Sequence, residues 1–285
     1  MRRGFLPRRE PGVRVATRAG SVFVARRHAP RARRRPLVLL HGWLMAHGYF
    51  SALVDAFAGE RELVLIDLPG FGESARPSPL RFAYDVDAFA DVVGEVVRAL
   101  RLGEHDLLGH SLGGGVALRL AADDRDVRRL ALVAPLVYRI PDPVEARLLA
   151  LPALGPLVWR ALVRRRHFAL QMRRDVEDPT VVGDAYVDWA YRHFDRPGGR
   201  ASSYATFASG RAISEENALP ARVCQPTLVV WGEGDRLIPV SHGRRLRAAL
   251  PAGELEIVPA AGHTPFVERP PLVVAALRRF LGEAA

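Results

Sequence analysis

One serine stands in a tight, glycine-rich corner of the chain, within the stretch LLGHSLGGGVAL at 107–118. An apolar run precedes Ser111 and a helix-like run follows it, so the serine and the flanking Gly109 and Gly113 match G-x-S-x-G between a strand and a helix. Such a turn strains the serine backbone, and the glycines leave room for the neighbouring chain. The helix start directs free N–H groups and the positive end of its dipole at the same spot. The pattern predicts a nucleophile beside a site that stabilises an anion.

A serine hydroxyl is a weak nucleophile at neutral pH and needs a general base. Of the nine histidines, His263 is the one that follows a C-terminal apolar strand pattern, in AAGHTPFVERP. A base histidine needs an acidic partner, and Asp235 ends the apolar run TLVVWGEGD. Ser111, Asp235 and His263 occur in the chain order expected for this motif. Asp67 opens the loop DLPGFGES, where we expect a structural role, and Asp106 comes before the turn of Ser111. Taken singly, His263 also fits a solvated loop and Asp235 a turn or helix cap.

The elements that must position these residues alternate between strand and helix patterns. This alternation predicts an α/β fold with a mostly parallel central sheet flanked by helices. Between Pro135 and Pro226 the pattern is helical, which predicts a helical cap inserted after the sixth strand, above the carboxyl edge of the sheet. We expect a core of residues 1–135 and 221–285, and a mobile cap, or lid, of residues 136–220 that controls access to Ser111. The strand patterns lie at 13–17, 21–27, 36–42, 61–67, 105–111, 127–135, 226–235 and 254–263, and the helix patterns of the core at 84–102, 113–122, 241–250 and 271–282.

Composition excludes several classes of protein. The net charge is +10, but all 41 basic residues are arginine and they are mostly scattered, so we expect no nucleic-acid partner. The single Cys224 excludes a disulfide framework, and the chain lacks a signal-like start and an apolar run long enough for a membrane span, so a cytoplasmic location is expected. No metal-ligand spacing and no G-x-G-x-x-G after a strand occurs, so neither metal nor cofactor is expected.

Five motifs, LLHGW, DLPGFGES, GHSLGG, WGEGDRLIP and GHTPFVERP, together resemble those of the α/β-hydrolase fold family, and in particular its serine hydrolases with a helical cap. They run from about residue 36 to the C-terminus and, without the cap, cover about two thirds of the chain. The resemblance implies an oxyanion hole made by the backbone N–H groups of Trp43 and Leu112. Leu44 stands where many relatives have proline, which changes the stiffness of this loop. Ser111 argues against haloalkane dehalogenases and epoxide hydrolases, which carry aspartate at this turn.

The cap stretch 151–175 combines apolar and basic residues. Its apolar residues can share one face, which fits a helix over an acyl pocket, a basic helix on a membrane surface, or ordinary cap packing. The aromatic residues of the cap predict a largely apolar pocket, with Trp159, Phe168 and also Trp43 as substrate contacts. The apolar residues of that face are Leu154, Leu157, Val158, Leu162 and Phe168, with Arg160 and Arg164 to Arg166 nearby.

These observations predict a serine hydrolase that cleaves a carboxylic ester with an apolar acyl or aromatic group through an acyl-enzyme, with Ser111, Asp235 and His263 as the triad. A carbon–carbon bond hydrolase of vinylogous diketones is the first alternative, because the resemblance implies the same triad for it. A non-catalytic accessory protein, like the hydrolase-like proteins beside tetrapyrrole metal chelatases, is the second. The expected partner is a small apolar ester or ketone, with peripheral membrane contact through the cap as a further hypothesis.

Overall fold

A computed structural model describes residues 5–29, 34–140, 149, 151 and 154–282 of the chain. The strands are β1 (Gly12–Thr17), β2 (Gly20–Arg27), β3 (Leu37–Leu40), β4 (Leu63–Ile66), β5 (His105–His110), β6 (Val127–Val133), β7 (Thr227–Gly232) and β8 (Gly253–Val258). The helices are α1 (Ser51–Phe57), α2 (Val86–Ala99), α3 (Leu112–Asp123), α4 (Gly155–Leu162), α5 (Arg165–Arg174), α6 (Asp184–Phe194), α7 (Gly199–Gly210), α8 (Val240–Ala249), α9 (Pro265–Glu268) and α10 (Pro270–Leu281).

The eight strands form one sheet in the order β1-β2-β4-β3-β5-β6-β7-β8. The hairpin β1–β2 and the pair β2–β4 are antiparallel, and every later pairing is parallel. The predicted mostly parallel α/β sheet with flanking helices is therefore confirmed. Since the parallel strands run the same way, their carboxyl ends meet along one edge, and loops from that edge can converge on one site.

Continuous apolar runs produce the central strands β3, β4 and β7. All residues of β3, β4, β5 and β7 are buried, as expected when helices cover both faces of a parallel sheet. Side chains alternate between two cores: Val38 and Leu40 pack with α2 and α3, whereas Leu37 and Leu39 pack on the opposite face. The run at 36–42 forms a shorter strand than its pattern predicts, because the chain leaves the sheet after Leu40.

The cap lies between the sixth and seventh strands, where the sequence places it. Among the described residues between Val133 and Thr227, no strand occurs, and α4 to α7 supply the helices. Residues 141–148, 150, 152 and 153 of the predicted cap lie outside the described residues. Buried cap residues share one apolar cluster with core residues, so the cap packs on the core. The cap members of this cluster include Trp159, Phe168 and Trp189, and the core members Tyr49 and Phe50.

The expectation of one shared apolar face over 151–175 is wrong. The stretch forms two helices, α4 and α5, because Val163 and Arg164 adopt extended backbone conformations and turn the chain. Leu154 and Leu157 are 44% and 64% exposed, whereas Phe168 is only 4% exposed. Leu154 and Leu157 therefore point outward and do not line a pocket with Phe168. No helix in the described part of the chain is long and apolar enough to cross a membrane.

Candidate active site

Ser111 occupies the turn between β5 and α3 with φ +52° and ψ −118°, a conformation that L-residues rarely adopt. Holding such a backbone costs about 1–3 kcal/mol, which the surrounding packing must offset. The two flanking glycines are required by close backbone contacts. A Cβ on Gly109 would lie 2.2 Å from the carbonyl oxygen of Gly113, and a Cβ on Gly113 would lie 2.3 Å from that of Leu40. The G-x-S-x-G spacing is thus the steric condition for this turn.

Asp235 and His263 meet at the carboxyl edge of the sheet, in the loops after β7 and β8. The Nδ1–H of His263 donates to Asp235 Oδ2 over 2.8 Å, and both side chains are buried. The other carboxylate oxygen, Oδ1, accepts the backbone N–H groups of Leu237 and Ile238 at 2.9 Å each. Because Nδ1 carries the proton, Nε2 of His263 is left as an acceptor. Burial opposes the imidazolium, but the Asp235 carboxylate raises the pKa of His263 above its ordinary value.

The two other acids considered from the sequence have partners elsewhere. Asp67 Oδ1 accepts the backbone N–H of His47 at 2.6 Å, and Asp67 Oδ2 lies 3.0 Å from Nδ1 of the same ring. Burial opposes the charge of this carboxylate, yet His47 holds the pKa of Asp67 at about 2. Asp106 accepts a 2.8 Å hydrogen bond from the guanidinium of Arg61. Both carboxylates hold core loops together, whereas Asp235 is the acid that contacts His263.

The turn that carries Ser111 lies against the loop that carries His263. His110, just before Ser111, donates from Nε2 to the carbonyl oxygen of His263 over 2.9 Å, and the centroids of the two imidazole rings are 4.9 Å apart. A third loop follows β3, where a Cβ on Gly42 would lie 3.2 Å from the Cβ of Ser111. The loops after β3, β5 and β8 therefore converge on the serine, which is 8% exposed.

The predicted oxyanion donors lie on two of these converging elements. Leu112 is the first residue of α3, and Trp43 follows Gly42. Within the described ranges, no group accepts a hydrogen bond from the backbone N–H of Trp43 or Leu112, so both donors are available to a ligand. Leu44 has φ +64°, a value that the ring of proline forbids, so this loop takes a path that a proline at 44 could not follow.

Aromatic rings from core and cap meet above this loop. The ring of Trp43 lies 5.5 Å from that of Trp159 and 6.1 Å from that of Phe207, and the last two are stacked at 5.8 Å. The indole N–H groups of both tryptophans donate to Ser203, one to its carbonyl and one to its hydroxyl. Phe168 is not part of this group, since its ring partners in the described chain are Tyr191 and Phe194 of the cap.

His110 received no role from the sequence, although it is a polar residue at the end of a fully buried strand. The rings of Tyr49 and Phe266 lie 5.3 Å and 5.2 Å from it. Its Nε2 must carry the proton, because the carbonyl oxygen of His263 can only accept. Burial, with the nearby His263, holds the pKa of His110 well below its ordinary value. A histidine at the end of a strand, directly before Ser111, is the sequence signal that could have identified this contact.

Comparison with known proteins gives one consistent result. A family model described as alpha/beta hydrolase fold matches residues 35–270. The chain is similar to the pimeloyl-acyl-carrier protein methyl ester esterase of Xanthomonas axonopodis pv. citri, with 30% identity over 86% of this chain and 94% of that protein. It is 28% identical to the 2-hydroxymuconate semialdehyde hydrolase of a Pseudomonas species over 87% of each chain.

Similarity of structure agrees with this result. The meta-cleavage product hydrolase from Pseudomonas fluorescens superposes with a TM-score of 0.80 at 20% identity, over 96% of this chain and 98% of that one. At this identity the match concerns the fold. The family model, by contrast, spans the six strands from β3 to β8, the glycine-rich turn at Ser111 and the loop of His263. The chain therefore belongs to the α/β hydrolase fold family.

Proposed function

We propose that this protein is a serine hydrolase that cleaves a carboxylic ester through an acyl-enzyme. The observation that carries the proposal is the buried His263–Asp235 hydrogen bond of 2.8 Å beside a serine held at φ +52°. A strained serine at a helix start, next to an imidazole with a fixed tautomer, fits nucleophilic catalysis. A binding protein would gain nothing from holding these three side chains together.

In the proposed reaction, Ser111 Oγ attacks the ester carbonyl while Nε2 of His263 takes its proton. Asp235 holds the imidazole in the required tautomer and stabilises the imidazolium. The N–H groups of Trp43 and Leu112 donate to the oxyanion, and loss of one such donor typically costs about 2.7–4 kcal/mol of barrier. His263 then gives the proton to the leaving alcohol. A water molecule, deprotonated by the same imidazole, hydrolyses the acyl-enzyme and frees Ser111.

The substrate class follows from the rings near the oxyanion loop. Trp43, Trp159 and Phe207 present aromatic faces beside the predicted oxyanion site, which favours an apolar acyl or aromatic group on the substrate. One relative is, by its name, a methyl ester esterase, which supports ester cleavage as the first candidate reaction. Carboxylic esters with an apolar acyl chain are therefore the proposed substrates. Phe168 lies within the cap, and its contacts give no support to a role in binding them.

Carbon–carbon bond hydrolysis of a vinylogous diketone is the second candidate. One relative is, by its name, a semialdehyde hydrolase, and its similarity to this chain matches that of the esterase relative in extent. Both reactions need the same nucleophile and base. A panel of aryl esters of graded chain length, assayed beside a vinylogous diketone, separates them. Turnover of the diketone at a much higher kcat/KM than any ester would favour the second candidate.

The test of the nucleophile is covalent labelling with a fluorophosphonate probe. The wild-type chain should be labelled at Ser111, and Ser111→Ala should abolish both labelling and ester hydrolysis while the circular dichroism spectrum stays unchanged. Ser78→Ala, a change of an exposed serine, is the matched control and should be labelled like the wild type. Labelling that persists in Ser111→Ala would reject the assignment. A wild-type chain that takes no label would support the non-catalytic accessory protein instead.

A further inference from the structure

The cap contacts the core directly at the loop that carries His263. The backbone N–H of His263 donates to the carbonyl oxygen of Asp175, at the end of α5, over 2.7 Å. A Cβ on Gly262 would lie 2.6 Å from the same oxygen and 2.9 Å from the backbone nitrogen of Glu177. Glycine at 262 is therefore what lets the cap segment lie on this loop. The segment of residues 175–177 is called the inner cap segment below.

One buried carboxylate joins the inner cap segment to the loop. Glu268, at the end of α9, is 6% exposed. Its Oε1 accepts the backbone N–H of Gly262 at 2.9 Å, and its Oε2 accepts the backbone N–H of Glu177 at 2.7 Å. One oxygen thus serves the core and the other the cap. Hydrogen bonds to an ionised acceptor are about twice as strong as neutral ones, so this bridge is a strong link between the two segments.

The backbone of His263 is consequently held from two sides. Its N–H is bonded to Asp175 in the cap, and its carbonyl accepts from His110 beside the nucleophile. Asp235 holds the side chain through Nδ1. Val176 of this segment is buried in the apolar cluster and Arg236 lies 3.6 Å from the carboxylate of Glu177, so Glu268 supplies the hydrogen-bonded part of the link that keeps the inner cap segment on the N–H of His263. If that link is lost, the direction of the imidazole depends on two contacts and no longer on three.

We propose that Glu268 is a positioning residue for His263: by bonding Gly262 and Glu177 together, it keeps the carbonyl of Asp175 on the backbone N–H of the base. Glu268 does not touch the reacting atoms; it acts on His263 through the backbone, and its negative charge also favours the imidazolium. This inference rests on the proposed function, because it takes His263 as the base. Catalytic groups must be held within about 0.5 Å of the productive geometry, so a loop freed on one side reduces the rate of proton transfer.

Two substitutions distinguish the length of the Glu268 side chain from its charge. Glu268→Gln keeps the size of the side chain but replaces one acceptor oxygen by an NH₂ donor, so one of the two backbone N–H groups then faces a donor. Glu268→Asp keeps the charge but is one methylene shorter and cannot reach both N–H groups. Both variants should exchange the amide hydrogens of Gly262, His263 and Glu177 faster than the wild type. Exchange is read by NMR or mass spectrometry and needs no turnover.

The kinetic readout distinguishes positioning from a general structural role. With p-nitrophenyl butyrate, both variants should lose about tenfold in kcat, while KM changes less than about twofold, because substrate contacts are untouched. Glu233→Gln is the matched control: it makes the same change at an exposed glutamate near the same sheet edge and should keep wild-type kcat and exchange. If Glu268→Gln fails to fold, Glu268→Asp still gives both readouts.

The outcomes are distinct from those of the proposed function. Faster exchange with unchanged kcat would overturn the positioning role, as would wild-type exchange in both Glu268 variants. An equal loss of kcat in Glu233→Gln would overturn it too, because the loss of any nearby charge would then suffice. Fluorophosphonate labelling of the wild-type chain at Ser111, run on the same preparations, tests the hydrolase assignment separately. A labelled wild type with unaffected Glu268 variants rejects only the inference about Glu268.

Discussion

The two ends of the cap differ in what they contact. The inner cap segment bonds to the backbone of His263 and, through Glu268, to its loop. The α4 end turns Leu154 and Leu157 outward, with 44% and 64% of each residue exposed. One end thus supports His263, the proposed base, and the other end presents an apolar surface to its surroundings. A cap described only as a lid would miss this division.

The division limits how the cap could move. Mobility of residues 136–220 stays a prediction, but lifting the inner cap segment would remove a hydrogen bond from the base itself. Substrate must therefore reach Ser111 by a route that leaves this contact in place, or the contact must form again before the chemistry. Changes at the inner end should alter catalysis, whereas changes at the outer end should not. The following predictions test this difference, from the largest effect to the smallest.

The largest effect is expected when the acid of the triad is removed. Asp235→Asn should lower kcat about 10⁴-fold, because an amide at this place favours the wrong tautomer of His263. Asp175→Asn, at the inner end of the cap, should lower kcat by no more than about threefold, because only the backbone carbonyl of Asp175 bonds to His263. Steady-state kinetics with an aryl ester measures both. A loss in Asp175→Asn equal to that in Asp235→Asn would mean that the acid has been misassigned.

The pH profile provides the second test. Burial opposes the imidazolium of His263, but Asp235, followed by Asp175 and Glu268, raises its pKa above 6.5. A base must be neutral to take a proton, so kcat/KM should rise with pH through an apparent pKa above that value and fall about tenfold per unit below it.

Burial raises the pKa of Asp175 to about 6, so this carboxyl is negative above that pH. Asp175→Asn removes that charge and should move the acid limb of the kcat/KM profile to lower pH. Leu157→Asp, at the outer end, should leave the limb where it is in the wild type. Profiles recorded between about pH 5 and 9 show both results. If the acid limb of the kcat/KM profile moves equally in the two variants, the two ends of the cap do not differ in their effect on His263.

The third test measures stability at the contact itself. Gly262→Ala places a methyl group 2.6 Å from the carbonyl oxygen of Asp175, so the inner cap segment must shift, at a cost of about 1–3 kcal/mol. Gly183→Ala, also in the cap, meets nothing within 4 Å and should be neutral or stabilising by up to about 1 kcal/mol. Denaturant unfolding gives both values. Equal stability of the two variants would show that the cap does not press on the loop.

The core and the candidate site around Ser111 could be predicted from sequence because their signals are local. Continuous apolar runs set β3, β4 and β7, and the two glycines around Ser111 mark a turn that few other residues permit. Asp235 and His263 each follow a strand, and the carboxyl ends of parallel strands meet at one edge. Periodicity and steric rules were therefore enough to bring these side chains together.

The contacts of the cap left no such signal. The bond from Asp175 to His263 uses a backbone carbonyl, which any residue type could supply. Glu268 stands in the motif GHTPFVERP, but its bond to Glu177 depends on how closely the cap approaches Gly262. Likewise, apolar spacing along 151–175 cannot show whether a helix face turns to the core or to solvent. In the structure the stretch breaks at Arg164 into two helices, and Leu154 and Leu157 face solvent.

At the outer end, we propose peripheral contact with an anionic membrane. Leu154 and Leu157 lie one helical turn apart on the exposed side of α4, and the exposed Arg160 and Arg164 flank them. Apolar side chains flanked by arginines suit the headgroup region of a bilayer, and the net charge of +10 complements anionic lipid. Because Leu154 and Leu157 point outward, they do not line an acyl pocket.

This last prediction has the smallest effect and concerns binding alone. Vesicles of phosphatidylglycerol and phosphatidylcholine should bind the wild-type chain in cosedimentation, and added salt should release it, because screening weakens the attraction between arginines and lipid. Leu157→Asp should weaken binding about fivefold or more, since a charged group replaces an apolar contact. Leu80→Asp makes the same change at a leucine outside the cap that is 96% exposed, and this variant should bind like the wild type. Both variants should keep the wild-type kcat with dissolved esters, because both leucines are exposed, whereas Ser111 is buried. Equal weakening in the two variants would assign the binding to net charge, and no vesicle binding by the wild type would reject a membrane as the partner of α4.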